Sequence, residues 1–221
     1  MRSFCALFAF TVGCAAGSAD AQYLPVKDQK FYVRAGASRI IFDEKANVKV
    51  GGQSLEGADG TLSDNTTVVF EIGFHITPHI SLAATAGAPP KTTLTAAGTL
   101  SGAGTLGKVR YAPGTYTVRY HFGKSGGIQP YLGAGFNWTI VLKNQDGLLQ
   151  HIRAANTIGP AIAGGVDIPV NQRFGIFLAA MKTWTSTDVR FDLPTPAGLA
   201  PGSAHLRMNP AIAYGGVQVR F

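Results

Sequence analysis

The sequence has little charge, few cysteines and no long apolar run. Asp, Glu, Lys and Arg make up 14% of its 221 residues, and its 2 cysteines are Cys5 and Cys14. Both cysteines fall within a predicted export signal, so the mature chain would have neither disulfides nor thiol chemistry. No segment offers the roughly 18 consecutive apolar residues of a transmembrane helix. These absences exclude a helical membrane protein and a disulfide-stapled domain.

The first residues have the pattern of a secretory signal. A positively charged start precedes an apolar stretch over residues 4–12, and a small-x-small cleavage site ends at Ala21. We therefore expect a cleaved signal peptide over 1–21 and a single exported domain over 22–221. A lipoprotein cut before Cys14 is the alternative, but the leucine that usually stands three residues before such a cysteine is a threonine here.

The net charge of +7 is spread along the chain instead of lying in one run. A scattered basic excess favours solubility and attraction to lipid phosphates over binding to nucleic acid. The low charge and the 28 glycines could suggest disorder, but the hydrophobic residues, 46% of the chain, are arranged in alternating runs.

Apolar and polar residues alternate over stretches of strand length, most cleanly over residues 68–77. A period of two predicts a strand whose faces meet different surroundings. We predict eight strands, which begin near Phe31, Val68, Ile80, Thr115, Tyr131, Thr157 and Phe174, with the eighth ending at Phe221. Lys182 would lie on the apolar face of the seventh strand, so we expect either a position at the membrane rim or a bulge before it.

The connections between the predicted strands alternate between short and long. Three are short turns, at 77–79, 123–127 and 170–173, and four are long polar or glycine-rich segments, at 42–66, 88–112, 142–156 and 186–208. This is the layout of bacterial outer-membrane barrels, with the termini and short turns in the periplasm and the long loops outside the cell. The third long connection carries Leu148, Leu149 and Ile152 at helical spacing, which predicts a short helix that covers the barrel mouth or rests at the lipid interface.

The soluble alternative is an eight-stranded ligand-binding barrel with its apolar face inward. One predicted face is aliphatic and aromatic, whereas the other collects Arg34, Glu71, His75, Arg119, His121, Asn137, Asp167, Gln218 and Arg220. Ionisable groups that meet inside a barrel, with the aromatic groups in lipid, cost less free energy than the reverse arrangement. The final Phe221 is typical of the closing strand of such a barrel, and we expect the barrel-assembly machinery to recognise it.

Several stretches resemble the outer membrane protein W family. They are FYVRAG at residues 31–36, SLAAT at 81–85, QPYLGAGFNWT at 129–139, GVDIPVNQ at 165–172 and the final pair Arg220-Phe221. The resemblance implies an all-β fold, an eight-stranded antiparallel transmembrane β-barrel with short periplasmic turns and long extracellular loops. It also implies a location in the bacterial outer membrane and passive uptake of small hydrophobic molecules, and some relatives assist alkane uptake.

Charged residues are predicted to face one another inside the barrel. Eight strands enclose a lumen that side chains about fill, so we expect no wide aqueous pore. Glu71 and Asp167 can pair there with Arg34, Arg119 or Arg220, and such a polar plug would stop ions from passing straight through. The alternative is that these charges only satisfy one another and hold the barrel rigid.

Three prolines, Pro113, Pro160 and Pro210, stand at the start of the fourth, sixth and eighth predicted strands, near the outer rim. A proline donates no ladder hydrogen bond, so each leaves a gap between neighbouring strands. We hypothesise that a hydrophobic solute enters among the loops and leaves sideways through such a gap, deflected by the plug. The lumen-side residues that could line this route are Phe177, Met181, Ile212 and Tyr214. The alternatives are that the prolines merely start strands and that the four side chains simply fill the barrel.

The sequence offers no persuasive catalytic, cofactor or metal site, and we predict that the protein is not an enzyme. His121 with Ser81 or Thr117 is the only inward combination suited to nucleophilic catalysis, and no acid is evidently placed behind the histidine. Residues 102–107 satisfy GxGxxG, but no strand–helix unit surrounds them. The pair of histidines around the first short turn is too widely spaced to share a metal.

The predicted function combines the export signal, the two faces of the strands and the resemblance. We expect an outer-membrane barrel that mediates passive uptake of small hydrophobic molecules, with lateral exit through its wall. Its expected partners are outer-membrane lipid and lipopolysaccharide, the barrel-assembly machinery and small hydrophobic solutes. The alternative is a structural, adhesion or receptor-type barrel without transport.

Overall fold

The computed structural model describes residues 29–124, 126–196 and 198–221, so the predicted signal peptide lies outside the described residues. Every regular element in this part of the chain is a β-strand, and no helix there is long and apolar enough to cross a membrane. The strands are β1 (Phe31–Ile41), β2 (Lys45–Val50), β3 (Gln53–Ser54), β4 (Ala58–Leu62), β5 (Asn65–His75), β6 (Ile80–Gly87), β7 (Lys91–Gly98), β8 (Thr105–His121), β9 (Gln129–Asp146), β10 (Gln150–Ala154), β11 (Thr157–Pro169), β12 (Phe174–Thr183), β13 (Ser186–Thr195), β14 (Gly198–Arg207) and β15 (Ala211–Arg220).

Eight of these strands close into an antiparallel barrel, which confirms the predicted fold class. Their order around the wall is β1-β5-β6-β8-β9-β11-β12-β15, and β15 pairs with β1 to complete the circle. The closing register sets Val33 opposite Val219 and Gly36 opposite Gly216. A side chain at Gly36 would run into the backbone of β15, so this close approach of two strands requires glycine.

The outward face of the barrel is apolar and its inward face is polar. Ile72, Leu132 and Ile162 point outward and are 62%, 63% and 51% exposed, whereas Glu71 and Asp167, on the inward face of two of these strands, are each 1% exposed. Trp138 and Trp184 lie towards the end of the barrel that carries the long connections. Membrane proteins place amphipathic rings at that level, so the faces are those of a barrel surrounded by lipid.

Lys182 meets the edge of the apolar belt and not its centre. It stays on the outward face of β12, where its register with Ala211 is unbroken, so no bulge precedes it. Its Nζ donates a hydrogen bond to the carbonyl oxygen of Asn209 at 2.6 Å and lies 3.9 Å from a carboxylate oxygen of Asp43. Both partners stand at the rim, so the lysine extends out of the lipid-facing belt.

The four long connections fold into β-structure above the barrel, where the sequence predicted polar or glycine-rich loops. Five strands form a sheet in the order β10-β13-β14-β2-β3, while β4 and β7 extend the sheet of β8. We call this upper layer, with the upper ends of β8 and β9, the extension. Its strands alternate as barrel strands do, because Val48 and Val50 line its interior while Lys49 faces solvent. The residues buried in its apolar core are Ala96, Leu106, Leu149, Ile152, Val189 and Phe191.

The helix predicted in the third long connection is wrong, because this segment forms β10 instead. Leu149 and Ile152 are buried in the core of the extension, whereas Leu148 is 41% exposed. His151 adopts a φ of 52°, and both carboxylate oxygens of Asp146 accept backbone N–H groups, from His151 and Ile152, at 3.0 Å. This sharp turn brings the two apolar side chains to the same side without any helical hydrogen bonding.

Candidate functional site

A network of buried charges fills the half of the barrel nearest the short turns. The strand registers set Arg34 between Gln218 on β15 and Glu71 on β5. Arg34 donates from Nε to Gln218 at 2.7 Å and from Nη2 to both carboxylate oxygens of Asp167 at 2.6 and 2.7 Å. Its Nη1 lies 3.0 Å from a carboxylate oxygen of Glu71. One arginine therefore joins β1, β5, β11 and β15 across the lumen.

Arg119 on β8 completes this network from the opposite wall. Its two Nη atoms donate to the two carboxylate oxygens of Glu71 at 2.6 and 2.7 Å, and its Nε donates to Thr117 at 3.1 Å. The hydroxyl of Thr85 donates to the same carboxylate at 2.6 Å. We call Arg34, Glu71, Arg119 and Asp167 the charged cluster. Each of these four side chains is at most 2% exposed.

Aromatic rings cover the charged cluster and exclude water from it. The guanidinium carbon of Arg34 lies 4.5 Å from the ring centre of Tyr32 and 5.0 Å from that of Phe177, and Arg119 lies 4.8 Å from the ring of Tyr131. These separations are within range of cation–π attraction. The ring of Tyr32 occupies the space above Gly73, where any side chain would collide with it. A small residue on β5 therefore makes room for a large one on β1.

Arg220, the fifth residue of the predicted plug, lies beside the charged cluster without joining its hydrogen bonds. It is opposite Tyr32 in the register of β15 with β1 and is 7% exposed. Its Nη2 has no hydrogen-bond partner among the described residues. The structure thus brings four of the five predicted residues into one network and leaves Arg220 at its edge.

A serine, a histidine and an aspartate converge in this half of the barrel, and sequence reasoning named the first two but not the aspartate. Ser81 Oγ lies 2.8 Å from His121 Nε2, and His121 Nδ1 lies 3.8 Å from a carboxylate oxygen of Asp167. The order resembles a nucleophile, a base and an orienting acid. However, Asp167 is already held by both of its bonds to Arg34, and Ser81 and His121 are fully buried. A substrate has no access to Ser81, so this geometry does not support hydrolysis.

The chemistry of the lumen changes above the charged cluster. Phe177, Met181 and Tyr214 form a buried apolar group with Val69, and Ile212 packs against its upper side. Phe177 and Tyr214 meet edge to face with their ring centres 5.9 Å apart. These four predicted path residues thus stand between the charged cluster and the barrel mouth, and only Ile212 reaches the open space above.

An apolar cavity opens where the barrel meets the extension. Its cavity volume is about 80 Å³. Pro113, Pro210 and Ile212 line its lower part, and Ile152, Val189 and Leu206 line its upper part. The polar groups in its wall are mostly threonine hydroxyls, and none of the described residues that line it is charged. A surface of this composition accepts apolar molecules.

A second apolar cavity continues the first one into the extension. Its cavity volume is about 60 Å³, and it shares Leu94, Val189 and Leu206 with the cavity below. The two cavities are therefore neighbours, one in the interior of the extension and one at the barrel rim, with these three side chains between them. We refer to them together as the apolar path.

The wall around the apolar path has two seams that lack backbone pairing. β9 and β10 lie side by side but share no ladder among the described residues, and side chains join them instead. Asn156 accepts the N–H of Val141 at 2.8 Å, and Asp146 accepts two N–H groups of the β10 segment. β2 and β4 are likewise joined by Asp59, which accepts the N–H of Ala46 at 2.9 Å. Side-chain bridges leave more open space than a ladder does.

The predicted prolines lie at the level of this rim but in different surroundings. Pro113 and Pro210 line the apolar path, and Pro160 does not. Pro113 stands within the β8–β9 pairing, opposite Thr139. The carbonyl of Pro160 accepts the N–H of Trp184 at 3.0 Å, and that of Pro210 accepts the N–H of Thr183 at 3.1 Å. The strands therefore remain connected beside Pro160 and Pro210.

A family model identifies the fold. The description of that model is OmpW family, and it matches residues 27–221, which include every residue that the structure describes. This chain belongs to the OmpW family. PahQ of Pseudomonas aeruginosa, named a dibenzothiophene metabolism operon protein, is 35% identical over 155 residues, which cover 70% of this chain and 73% of PahQ.

Solved structures of other outer-membrane proteins show the same barrel. The crystal structure of the outer membrane protein OprG of Pseudomonas aeruginosa has a TM-score of 0.82, 19% identity, and coverage of 88% of this chain and 97% of OprG. The outer membrane protein AlkL of Ectopseudomonas oleovorans is 23% identical over 77% of this chain and 72% of AlkL. A solid-state NMR structure of AlkL in lipid bilayers has a TM-score of 0.69, 20% identity, and coverage of 95% of this chain and 97% of AlkL.

Family membership gives the barrel its place and orientation. It is an OmpW-family outer-membrane barrel, so its apolar belt meets lipid and the soluble ligand-binding alternative is excluded. The short turns face the periplasm and the extension stands outside the cell. Within the described residues no group of three or more acidic, histidine or cysteine side chains could hold a metal ion.

Proposed function

We propose that this barrel carries small hydrophobic molecules passively from outside the cell into the outer membrane. The observation that supports the proposal most directly is the apolar path, which runs above a closed charged cluster and reaches the seams of the wall. Leu94, Val189 and Leu206 line both cavities of the path. The charged cluster lies below the path and joins four strands across the lumen.

Free energies favour a sideways exit over a downward one. Transfer of a ten-carbon alkane from the apolar path into the aqueous periplasm would cost roughly 8 kcal/mol of free energy, at about 0.8 kcal/mol per CH₂. Transfer into lipid would cost almost nothing, because the surroundings stay apolar. The downward route would also separate buried ion pairs such as Arg34–Asp167, at about 3–5 kcal/mol for each pair broken. Lateral exit at the rim avoids both costs and needs no energy source.

The seam between β9 and β10 is the part of the wall that suits this exit best. Val141 lines the apolar path on one side of it, and Ala154 and Ala155 line the path on the other. Ala155 follows the last residue of β10 and is exposed, as we expect of a residue at an opening of the path. The small side chains of Ala154 and Ala155 leave room at this seam.

The solute class follows from the lining. Threonine hydroxyls and aliphatic side chains dominate it, so hydrocarbons and fused aromatic molecules fit better than charged or sugar-like ones. The name of PahQ refers to the metabolism of dibenzothiophene, an apolar fused ring system, which adds this class to the candidates for the present chain. Labelled dodecane and dibenzothiophene are therefore suitable probes.

Uptake of the labelled probes is measured in cells with and without the protein, and in cells with an unrelated eight-stranded barrel at equal abundance. We expect faster uptake only with this protein. We expect Ala155→Trp to lower that uptake towards the rate of cells without the barrel, because an indole would fill the seam. Ala134→Trp is the matched control, since Ala134 faces lipid on the outside of β9. Equal uptake in all strains would favour a structural or adhesion role.

The same assay tests the prolines. Pro210→Ala should slow uptake if the proline keeps the rim open, because Pro210 lines the apolar path. Pro160→Ala changes a proline outside the path and separates this effect from a general loss of barrel stability. Lateral exit is contradicted if uptake is unchanged in both proline variants and also in Ala155→Trp.

A further inference from the structure

The outer surface of the extension carries cations that have no anionic partner in the protein. Lys91, Arg110 and Lys143 lie directly opposite one another across β7, β8 and β9. All three are exposed, and none forms an ion pair within the described residues. The one hydrogen bond from this row runs from Arg110 Nε to the carbonyl of Pro89 at 3.4 Å. We call these three residues the first cation row.

A second row of the same kind crosses the other sheet of the extension. Arg153 on β10 is opposite Arg190 on β13, and Lys49 on β2 follows beyond a serine of β14. The two acids of this face, Asp188 and Asp192, are occupied by His205 and His151 at 2.8 and 2.9 Å. We call Arg153, Arg190 and Lys49 the second cation row.

These rows are costly for an isolated protein. Like charges directly opposite one another on a sheet repel and lower its stability. Neither row has an acid within its own cross-strand register. An anion outside the protein would relieve the repulsion in both places.

The position of the rows identifies that anion. β9 rises about 3.4 Å per residue, so Lys143 stands roughly 17 Å along the strand beyond Trp138 at the rim of the apolar belt. The two rows lie on different sheets and both face outward, while the interior between them is apolar. A soluble anionic ligand would meet one site or enter the interior. A layer of lipid headgroups would meet the outside of both sheets.

We propose that the two cation rows bind phosphate groups of outer-leaflet lipopolysaccharide and so hold the extension upright among the headgroups. The proposal requires the outer-membrane location but not transport, so it stands or falls independently of the apolar path. Charge-assisted bonds from lysine and arginine to phosphate are among the stronger hydrogen bonds that exposed side chains make.

The test compares variants of equal charge change in the detergent-purified protein. Lys91→Gln/Lys143→Gln weakens the first row and Arg153→Gln/Arg190→Gln weakens the second. Lys30→Gln/Lys124→Gln is the matched control, because both lysines are exposed at the periplasmic end. Rough-type lipopolysaccharide is titrated by native mass spectrometry, with enzymatically or chemically dephosphorylated lipopolysaccharide and inorganic phosphate in parallel. Circular dichroism checks that each variant is folded.

We expect each row variant to bind phosphorylated lipopolysaccharide roughly thirtyfold more weakly at low salt, since a surface cation near an anionic headgroup contributes about 1 kcal/mol. The control should bind as the unchanged protein does, and all forms should bind dephosphorylated lipopolysaccharide alike. Lipopolysaccharide should raise the thermal unfolding temperature of the row variants much less than that of the unchanged protein. The proposal is overturned if the control binds lipopolysaccharide as weakly as the row variants do, or if neither row variant binds it more weakly than the unchanged protein. Full competition by millimolar inorganic phosphate would overturn it as well.

Discussion

At the scale of single residues, the charged cluster decides whether the barrel is stable. Glu71 receives two hydrogen bonds from Arg119 and one from Thr85, and it lies 3.0 Å from Arg34. Glu71→Gln leaves two buried guanidinium groups with a single acid, so we expect a loss of about 3–5 kcal/mol in the free energy of unfolding. Urea unfolding in lipid vesicles measures it.

The matched control for Glu71→Gln is Asp64→Asn. Asp64 pairs with Arg39 at 2.9 Å, but both side chains are largely exposed, at 38% and 57%. Because water and salt screen such a pair, we expect a change below about 1 kcal/mol. Losses of similar size at the two positions would mean that burial does not set the strength of the charged cluster.

The residues of the charged cluster could be predicted, but their partners could not. Alternation along each strand is enough to place Arg34 and Asp167 inside. Which acid meets which base depends on the register between strands, and the sequence does not display it. Ser81 and His121 were paired from the sequence, but the closeness of Asp167 was missed for the same reason, because it lies on a third strand.

At the scale of strands, the extension shows where sequence reasoning failed. The segment KANVKV at residues 45–50 alternates as clearly as a barrel strand, and the structure makes it β2. The segment is only six residues long and two glycines follow it, which favoured the prediction of a loop. This segment becomes a strand because it pairs with β14, which is far away in the sequence. Local patterns do not reveal such a pairing.

At the end of the β9–β10 seam nearest the turn, the backbone is bonded to one carboxylate, Asp146. Backbone N–H groups of Ile152 and His151 hold the pKa of Asp146 below its ordinary value. The stabilisation is therefore complete above the unfolded-state pKa, about 4, and is lost as pH falls through the lowered folded-state pKa. We expect hydrogen exchange at His151 and Ile152, corrected for intrinsic rates, to lose protection only in that acidic range.

Asp146→Ala should remove this protection at neutral pH. The control is Asp188→Ala, which removes an exposed acid bonded to His205 instead of the backbone bridge at the seam. Exchange that stays slow at the two β10 amides in Asp146→Ala would show that the core contacts of Leu149 and Ile152, and not the carboxylate, hold the seam.

At the scale of the whole molecule, the barrel divides into a charged lower half and an apolar upper half. The division was partly predictable, since inward charges occupy the ends of strands near the short turns. The apolar path was not, because it is lined jointly by barrel residues such as Ile212 and by extension residues such as Leu206. Only the folded extension brings these two sets together.

Because the charged cluster lies below the apolar path, a hydrophobic solute could leave sideways above the cluster or pass down through it. Arg34→Gln/Asp167→Asn removes the central ion pair with no change in net charge and leaves the Arg119–Glu71 pair in place. A solute that leaves sideways above the charged cluster never meets this pair, so we expect uptake of labelled dodecane to stay unchanged. Ala155→Trp, which acts at the seam, should still lower it in the same strain. Faster uptake in the double variant would instead mean that the solute passes down through the lumen, because the weakened cluster would then be the barrier it crosses.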